Sequence, residues 1–478
     1  MPCSRSNLIF NARFNEKINE PKAQKLNSTK IKTLTYLMAI LFGASQNAWA
    51  NGQLQGLLEI YKQAEAHDSS WASAKSVYQA TQEKVVQGRA LILPSVTLDA
   101  EANQNNSNTV YSGSGANPFT GGRQNFGSIG YNVNLTQPLW RKQNNVQYEQ
   151  SKVQVAQAEN TLNVARLDLM VRTATAYFDV LLAQDKLDLI AAQKAAVTRQ
   201  LDQAKANFDV GNATITDVNE AQAKFDLLLA QEIATQNEFE VKKRAIQAIT
   251  TLPTGQLASA KDKLNIAIPA PQEMEEWVKI AEEQNPQIKV LDQSVQIATQ
   301  EIDRAHAGHY PTLDAVATWA DNRSNGGVNA IGSDQQQLTI GVKMEIPLYQ
   351  GGSISSKERE AASNQQKALD DVDLARHNAD FQTRQAYLTV ASTVAQVKAF
   401  EQALISSKSS MDSTSLGYEV GVRTSVDVLN AQQQLFSAKR DLLEARYTWM
   451  LSVIKLKAAA GVLTEQDFAE TNNLLEGL

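Results

Sequence analysis

Two aspartates in matching surroundings are the side chains of this sequence best placed to do chemistry. Asp217 follows Thr214 by three residues, and Asp427 follows Thr424 by three. That spacing is a capping box with Asp in place of the usual Glu or Gln: hydroxyl and carboxylate each satisfy a free amide of a starting helix. A carboxylate in the first turn also suits the helix dipole. The pattern predicts helix starts at both threonines. Just upstream of each lie an aromatic residue and a Val-Gly pair: Phe208 with Val210 and Gly211, Tyr418 with Val420 and Gly421. Each glycine predicts a tight, left-handed turn between two helices. Only the second turn carries a phenol hydroxyl and a guanidinium, at Tyr418 and Arg423, where the first has Phe208 and Ala213.

Other reactive sets are absent. His306 and His309 have a spacing that can bind metal on a helix, with Asp303 nearby. The chain has 4 His and a single cysteine, Cys3, so these histidines read as a helix end before a strand, and no metal site is expected. No nucleophile–base set, phosphate loop or pair of catalytic carboxylates stands out. The expectation is a protein that is not an enzyme and needs no cofactor. Disulfides are excluded by the lone cysteine.

The two turns belong to an internal repeat. FDVGNATITDV at 208–218 reads again as YEVGVRTSVDV at 418–428, an offset of 210. Pro94 matches Pro311 and Pro138 matches Pro347, at offsets of 217 and 209. A repeat of this size means two copies of one structural unit. The first copy is expected over 51–251, with strands near 96–104 and 126–136 and long helices over 146–209 and 214–251. A linker follows at 252–270. The second copy spans 271–461, with strands near 312–320 and 337–346 and helices over 355–418 and 424–460. A tail, 462–478, ends the chain as a short helix or without order.

The strand pattern is informative. Leu338, Ile340, Val342, Met344 and Ile346 alternate with small or polar residues, as do Ile129, Tyr131, Val133 and Leu135. Strict alternation over about ten residues is the pattern of a transmembrane β-strand. Trp140 and Tyr349 flank the strand ends, where interfacial aromatics sit in such strands. Four strands cannot close, and an open edge cannot sit in lipid, so several chains must share one barrel. Three chains would give twelve strands and room for a lumen. The helices are equally telling, because some 60 residues without a break run roughly 90 Å, which implies coiled-coil or tubular packing.

The N-terminus reads as a signal peptide over 1–50: Lys25, Lys30 and Lys32 precede the apolar run 34–42, and an A-x-A site ends at Ala50. Residues 1–50 hold 7 of the 45 Lys and Arg and 2 of the 51 Asp and Glu, leaving 38 against 49 and a mature net charge of −11. An acidic chain has no nucleic-acid footprint. No apolar run beyond residue 50 is long enough for a transmembrane helix.

These residues resemble the TolC family of outer-membrane channel-tunnels, the outer membrane efflux proteins of bacterial export systems. The likeness rests on TATAYF at 173–178, RQLDQ at 199–203, the turn 210–218, PLYQGG at 347–352 and GYEVG at 417–421 with 423–429. The resemblance implies a mixed α and transmembrane β fold: a homotrimer whose 12-stranded barrel takes four strands from each chain and continues as a long α-helical coiled-coil tunnel. It implies residence in the outer membrane of a Gram-negative bacterium, in contact with lipid and extending into the periplasm. The tunnel is expected to be closed at its periplasmic end until a periplasmic adaptor and an inner-membrane pump or ABC transporter recruit it. The turns at Val210, Gly211, Val420 and Gly421 are then adaptor-docking surfaces. Asp427 and the residue a turn later, Asn430, line the entrance constriction. Asn430 stands where the family pattern often has a second Asp, which implies weaker cation binding. Tyr418 and Arg423 are implied to bond to Asp217 and Thr216 as a gating latch.

The function this implies is passive export of drugs, small toxic compounds or secreted proteins, with the pump supplying the energy. A trimeric structural or adhesive surface stalk is the alternative; the paired, membrane-length strands argue against it.

Overall fold

The computed structural model describes residues 54–110, 122–251, 255–261, 264–327 and 331–476, and the expected signal segment lies outside them. The elements follow one plan twice. The first pass runs α1 (Leu57–His67), α2 (Ser69–Ala90), β1 (Ser95–Thr109), β2 (Gly122–Trp140), α3 (Lys142–Asp209) and α4 (Ile215–Thr250). The second runs α5 (Met274–Gln284), α6 (Pro286–His306), β3 (Thr312–Ser324), β4 (Ser333–Glu345), α7 (Ser353–Glu419) and α8 (Ser425–Ala459). A short α9 (Glu465–Asn472) closes the chain.

Local chemistry sets the boundaries. Asp68 separates α1 from α2: its carboxylate accepts from the Trp71 amide at 2.7 Å and from Arg172 of α3 at 3.1 Å. Asn285 and Pro286 separate α5 from α6, with Pro at the first helical position, where its missing N–H costs nothing. Within α3 there is neither proline nor glycine, so its 68 residues run uninterrupted for about 100 Å. At 67 residues, α7 is nearly as long.

The four strands form one antiparallel sheet in the order β1-β2-β3-β4. Register places Leu98, Val133, Trp319 and Leu338 in one row. The next residues along, Thr97, Asn134, Thr318 and Thr339, make a polar row on the opposite face. The apolar face is uncovered: Leu98 is 68% exposed, Leu338 66% and Ile340 76%. β1 and β2 extend past the expected strands, because the polar run 103–109 pairs with 122–128. Polar residues on both faces carry no alternation, so this part of the ladder leaves no periodic trace. Pro138 cannot donate to the ladder, and register shifts between it and Trp140. There Trp140 packs edge-on against Tyr310, and Arg141 forks onto the buried Asp314 carboxylate, with Nε 2.7 Å from Oδ1.

Next to the sheet the helices lie side by side in the order α2-α3-α6-α7; farther along, the α3–α4 and α7–α8 hairpins meet where α3 packs on α8. The main core sits around the middle of α3 and the far end of α8. It gathers Tyr61, Tyr177, Phe178, Tyr447, Trp449 and Phe468. The segment expected as a linker is part of this core: Leu257 and Ala258 are buried, the Tyr177 hydroxyl lies 3.1 Å from the carbonyl oxygens of Gln55 and Ala258, and Trp449 donates to the Ala267 carbonyl. The tail is ordered too. Thr464 and Asp467 form a capping box at α9, and Phe468, fully buried, packs edge-on against Tyr61 at 5.3 Å.

Candidate functional site

The two helix-to-helix turns at the ends of the hairpins have the same construction. α3 is capped by Val210, and Gly211 takes φ +80°; α7 is capped by Val420, and Gly421 takes φ +82°. In the first turn, Gly211 N–H donates to Phe208 O (2.9 Å) and Asn212 N–H to Asn207 O (2.7 Å). In the second, Gly421 N–H donates to Tyr418 O (3.1 Å) and Val422 N–H to Gly417 O (2.9 Å). This is the Schellman closure, which needs a left-handed residue just past the helix, where a side chain would be strained. Both turns present bare apolar groups: Val210 is 69% exposed, Val420 66% and Val422 75%.

The next helices start as their sequences dictate. Thr214 and Asp217 form a full capping box at α4, as do Thr424 and Asp427 at α8. The Asp427 carboxylate accepts from the Thr424 amide and hydroxyl, each at 2.9 Å. Those bonds, amide first, hold its acidity below the usual aspartate range, and the Arg423 charge adds to the effect. Asn430 follows three residues later on the same face of α8 and is exposed.

The four residues of the expected latch sit at the two hairpin turns, Thr216 and Asp217 at the first and Tyr418 and Arg423 at the second, and no bond joins the two sets among the described residues. The Tyr418 hydroxyl accepts from Asn207 Nδ2 at 3.3 Å, joining the foot of α7 to the foot of α3. Asp217 is already committed to Thr214, with amide and hydroxyl at 2.9 and 2.7 Å. Thr216 is exposed. Arg423 is exposed and makes no ion pair among the described residues; its stem lies over Gly417, where an added Cβ would come within 2.8 Å of Arg423 Cγ. Within the chain, the Tyr418 hydroxyl is met by Asn207 rather than by Asp217 or Thr216.

One residue of this region was not anticipated. Leu429 of α8 is 3% exposed and packs with Val197 and Leu201 of α3 and Ala221 and Leu228 of α4. Its counterpart in the first copy is Asn219, which is exposed. Comparing the copies one turn past the capping boxes reveals this mismatch in the sequence itself. Gln200 of α3 also donates to Ser425 of α8, at 3.3 Å.

The histidines face one carboxylate: His306 Nδ1 is 2.7 Å and His309 Nε2 3.6 Å from Glu358 Oε1. They tie the end of α6 to the start of α7. Among the described residues no group of three or more His, Cys, Asp or Glu side chains could hold a metal ion. Nor is any described helix long and apolar enough to cross a membrane; the sheet has an uncovered apolar face.

Comparison with known proteins gives this geometry a setting. The sequence model of the family described as outer membrane efflux protein matches residues 60–251 and 277–462, one stretch in each copy of the repeat. The outer membrane protein TolC of Vibrio cholerae serotype O1 is 33% identical over 439 residues, covering 91% of this chain and 97% of its own. The alkaline protease secretion protein AprF of Pseudomonas aeruginosa is 28% identical over 442 residues, covering 91% and 90%. Among solved structures, the CmeC outer membrane channel of Campylobacter jejuni superposes with a TM-score of 0.71 at 14% identity, covering 97% of this chain and 98% of that one.

Proposed function

The chain belongs to the outer membrane efflux protein family, and on that premise we propose that it is an outer-membrane channel for efflux or type I secretion. The relatives are named for efflux and protease secretion, and nothing among them favours the surface stalk. Like them, it is read as a conduit with no catalysis of its own.

The observation that carries this reading is a set of unfinished edges. The four-stranded sheet ends in unpaired β1 and β4 and has an apolar face with nothing over it. The helical layers end in α2, α4 and α7, which expose Val77, Val86, Leu227, Ile233, Phe381 and Ile405. Bare apolar edges and strand edges demand partners. Three copies joined edge to edge give a twelve-stranded barrel facing lipid and a helical tunnel extending into the periplasm.

In that trimer the hairpin turns form the tunnel's periplasmic end. Val210, Gly211, Val420 and Gly421 offer rigid, apolar knobs for a periplasmic adaptor, which joins the channel to an inner-membrane pump or ABC transporter. Asp427 becomes a ring of three carboxylates at the entrance, with Asn430 supplying amides one turn deeper. A ring of carboxylates favours cations. Arg423, without an ion pair among the described residues, reaches Thr216 and Asp217 of the neighbouring subunit, while Tyr418 and Asn207 fasten the hairpins within each subunit. An exposed Arg–carboxylate contact is easily exchanged, which suits a latch that opens when the adaptor docks.

Crosslinking of outer-membrane fractions tests the assembly. A band at three times the mass of the mature chain is expected. Monomer alone, in a fraction where the chain is abundant, contradicts the reading.

A further inference from the structure

Building on the channel reading, we propose that Leu429 is the positioning residue that holds the second hairpin against the first at the periplasmic end, and that opening requires its withdrawal from a socket made by α3 and α4.

The seam between the hairpins changes character along its length. At one end lies the main core. Next comes a cavity of about 520 Å³ lined by Lys186, Gln193, Gln231, Gln433, Arg440 and Asp441, among others. Such polar walls with room between them favour water over tight packing. Beyond the cavity the seam becomes apolar again, in a small cluster separate from the main core. Every buried member of that cluster except Leu429 belongs to the first hairpin. Leu429 is therefore a knob from one hairpin seated in a socket of the other.

The contacts around the knob are weak by comparison. Gln200–Ser425 at 3.3 Å and Asn207–Tyr418 at 3.3 Å are neutral hydrogen bonds that water can replace. Glu220 Oε2, next in sequence to Ala221 of the socket, and Gln432 Oε1, three residues past the knob, are enclosed with no hydrogen-bond partner among the described residues. Enclosed acceptors oppose the closed arrangement, because separating the hairpins would hydrate them. Lys224 Nζ also donates to Gln433 Oε1 across the seam at 2.8 Å, but that contact is exposed and easily exchanged; burial of Leu429 is the main apolar hold here. The repeat makes the same point. Asn219, the equivalent side chain of the first hairpin, is exposed, so the insertion runs in one direction only.

The experiment is planar-bilayer conductance of the full-length, signal-processed protein with single substitutions. Leu429→Ala is expected to raise the mean conductance about tenfold by shifting the closed–open balance. Leu429→Met, which keeps the apolar volume, stays near wild type. Leu442→Ala, on the same helix and as deeply buried but in the main core, lowers thermal stability and leaves conductance unchanged, which separates gating from mere packing. Assembled Leu429→Ala with wild-type conductance overturns the proposal, as does an equal rise in Leu442→Ala. If Leu429→Ala does not assemble, Leu429→Val is read by the same criterion. A wild-type protein that forms no channel at all would sink the channel reading instead, so the two failures are distinct.

Discussion

Asn207 at the foot of α3 donates a hydrogen bond to the hydroxyl of Tyr418 at the foot of α7, 3.3 Å away. The bond joins the two copies of the repeat, and neither partner has its like in the other copy: Phe208 stands for Tyr418, and Gly417 for Asn207. A neutral hydrogen bond of this kind contributes about 1 kcal/mol. Tyr418→Phe and Asn207→Ala should each raise single-channel open probability about fivefold, and the double variant should do no more than either alone. Because the pair is uncharged, the effect should be the same at low and high salt. Additive effects, or a strong salt dependence, would show that the two residues act through other partners.

Arg423 is read as a contact between subunits. Cysteines at Arg423 and Asp217, in a chain whose one native cysteine is Cys3, should oxidise to multimers that survive denaturing gels and lock the channel at low conductance. Crosslinks found only within one chain would contradict the latch between neighbours.

The entrance should sense cations through Asp427. Its acidity is strengthened by the Thr424 amide and hydroxyl and by Arg423, so the ring stays charged below the ordinary aspartate range. The sign follows: cation block of the current is present at neutral pH, persists through mildly acidic pH, and disappears as pH falls through the lowered pKa. The cap's contribution to stability is lost over the same range. Asn430→Asp adds a second ring one turn away and should tighten block by a trivalent cation about tenfold or more. Unchanged block in Asn430→Asp would remove both residues from the constriction.

Much of this architecture is legible in the sequence, and the exceptions have physical reasons. The alternation from Leu338 to Ile346 announces a strand because one of its faces is apolar, whereas Asn103 to Thr109 pairs just as regularly but is polar on both faces. The capping boxes at Thr214 and Thr424 are local and read directly. Tyr418 and Arg423 stand out as mismatches between copies, but their partners do not. Which side chain of α3 lies opposite Tyr418 depends on how two helices of nearly 70 residues are set against each other. Leu429 carries the same kind of mismatch signal as Tyr418 but lies a turn inside the helix, beyond the turn residues that first draw notice. Leu257, Ala258 and Phe468 are too isolated among polar neighbours to announce that linker and tail complete the core.

The tail offers a stability test. Phe468 is fully buried against Tyr61, and truncating such a side chain costs about 3–5 kcal/mol. Phe468→Ala should lower the thermal midpoint of the assembled protein and expose 462–478 to protease while leaving the conductance of surviving trimers unchanged. An unaltered midpoint would mean that α9 is not part of the core.

The most direct measurement is single-channel recording of the purified protein in a planar bilayer, wild type beside the Tyr418→Phe, Arg423→Ser double variant. The account predicts discrete, low-conductance steps for wild type and steps several times larger for the variant, because a closed periplasmic end limits the current and those residues keep it closed. A protein that inserts without conducting, or a variant whose steps match wild type, would contradict it.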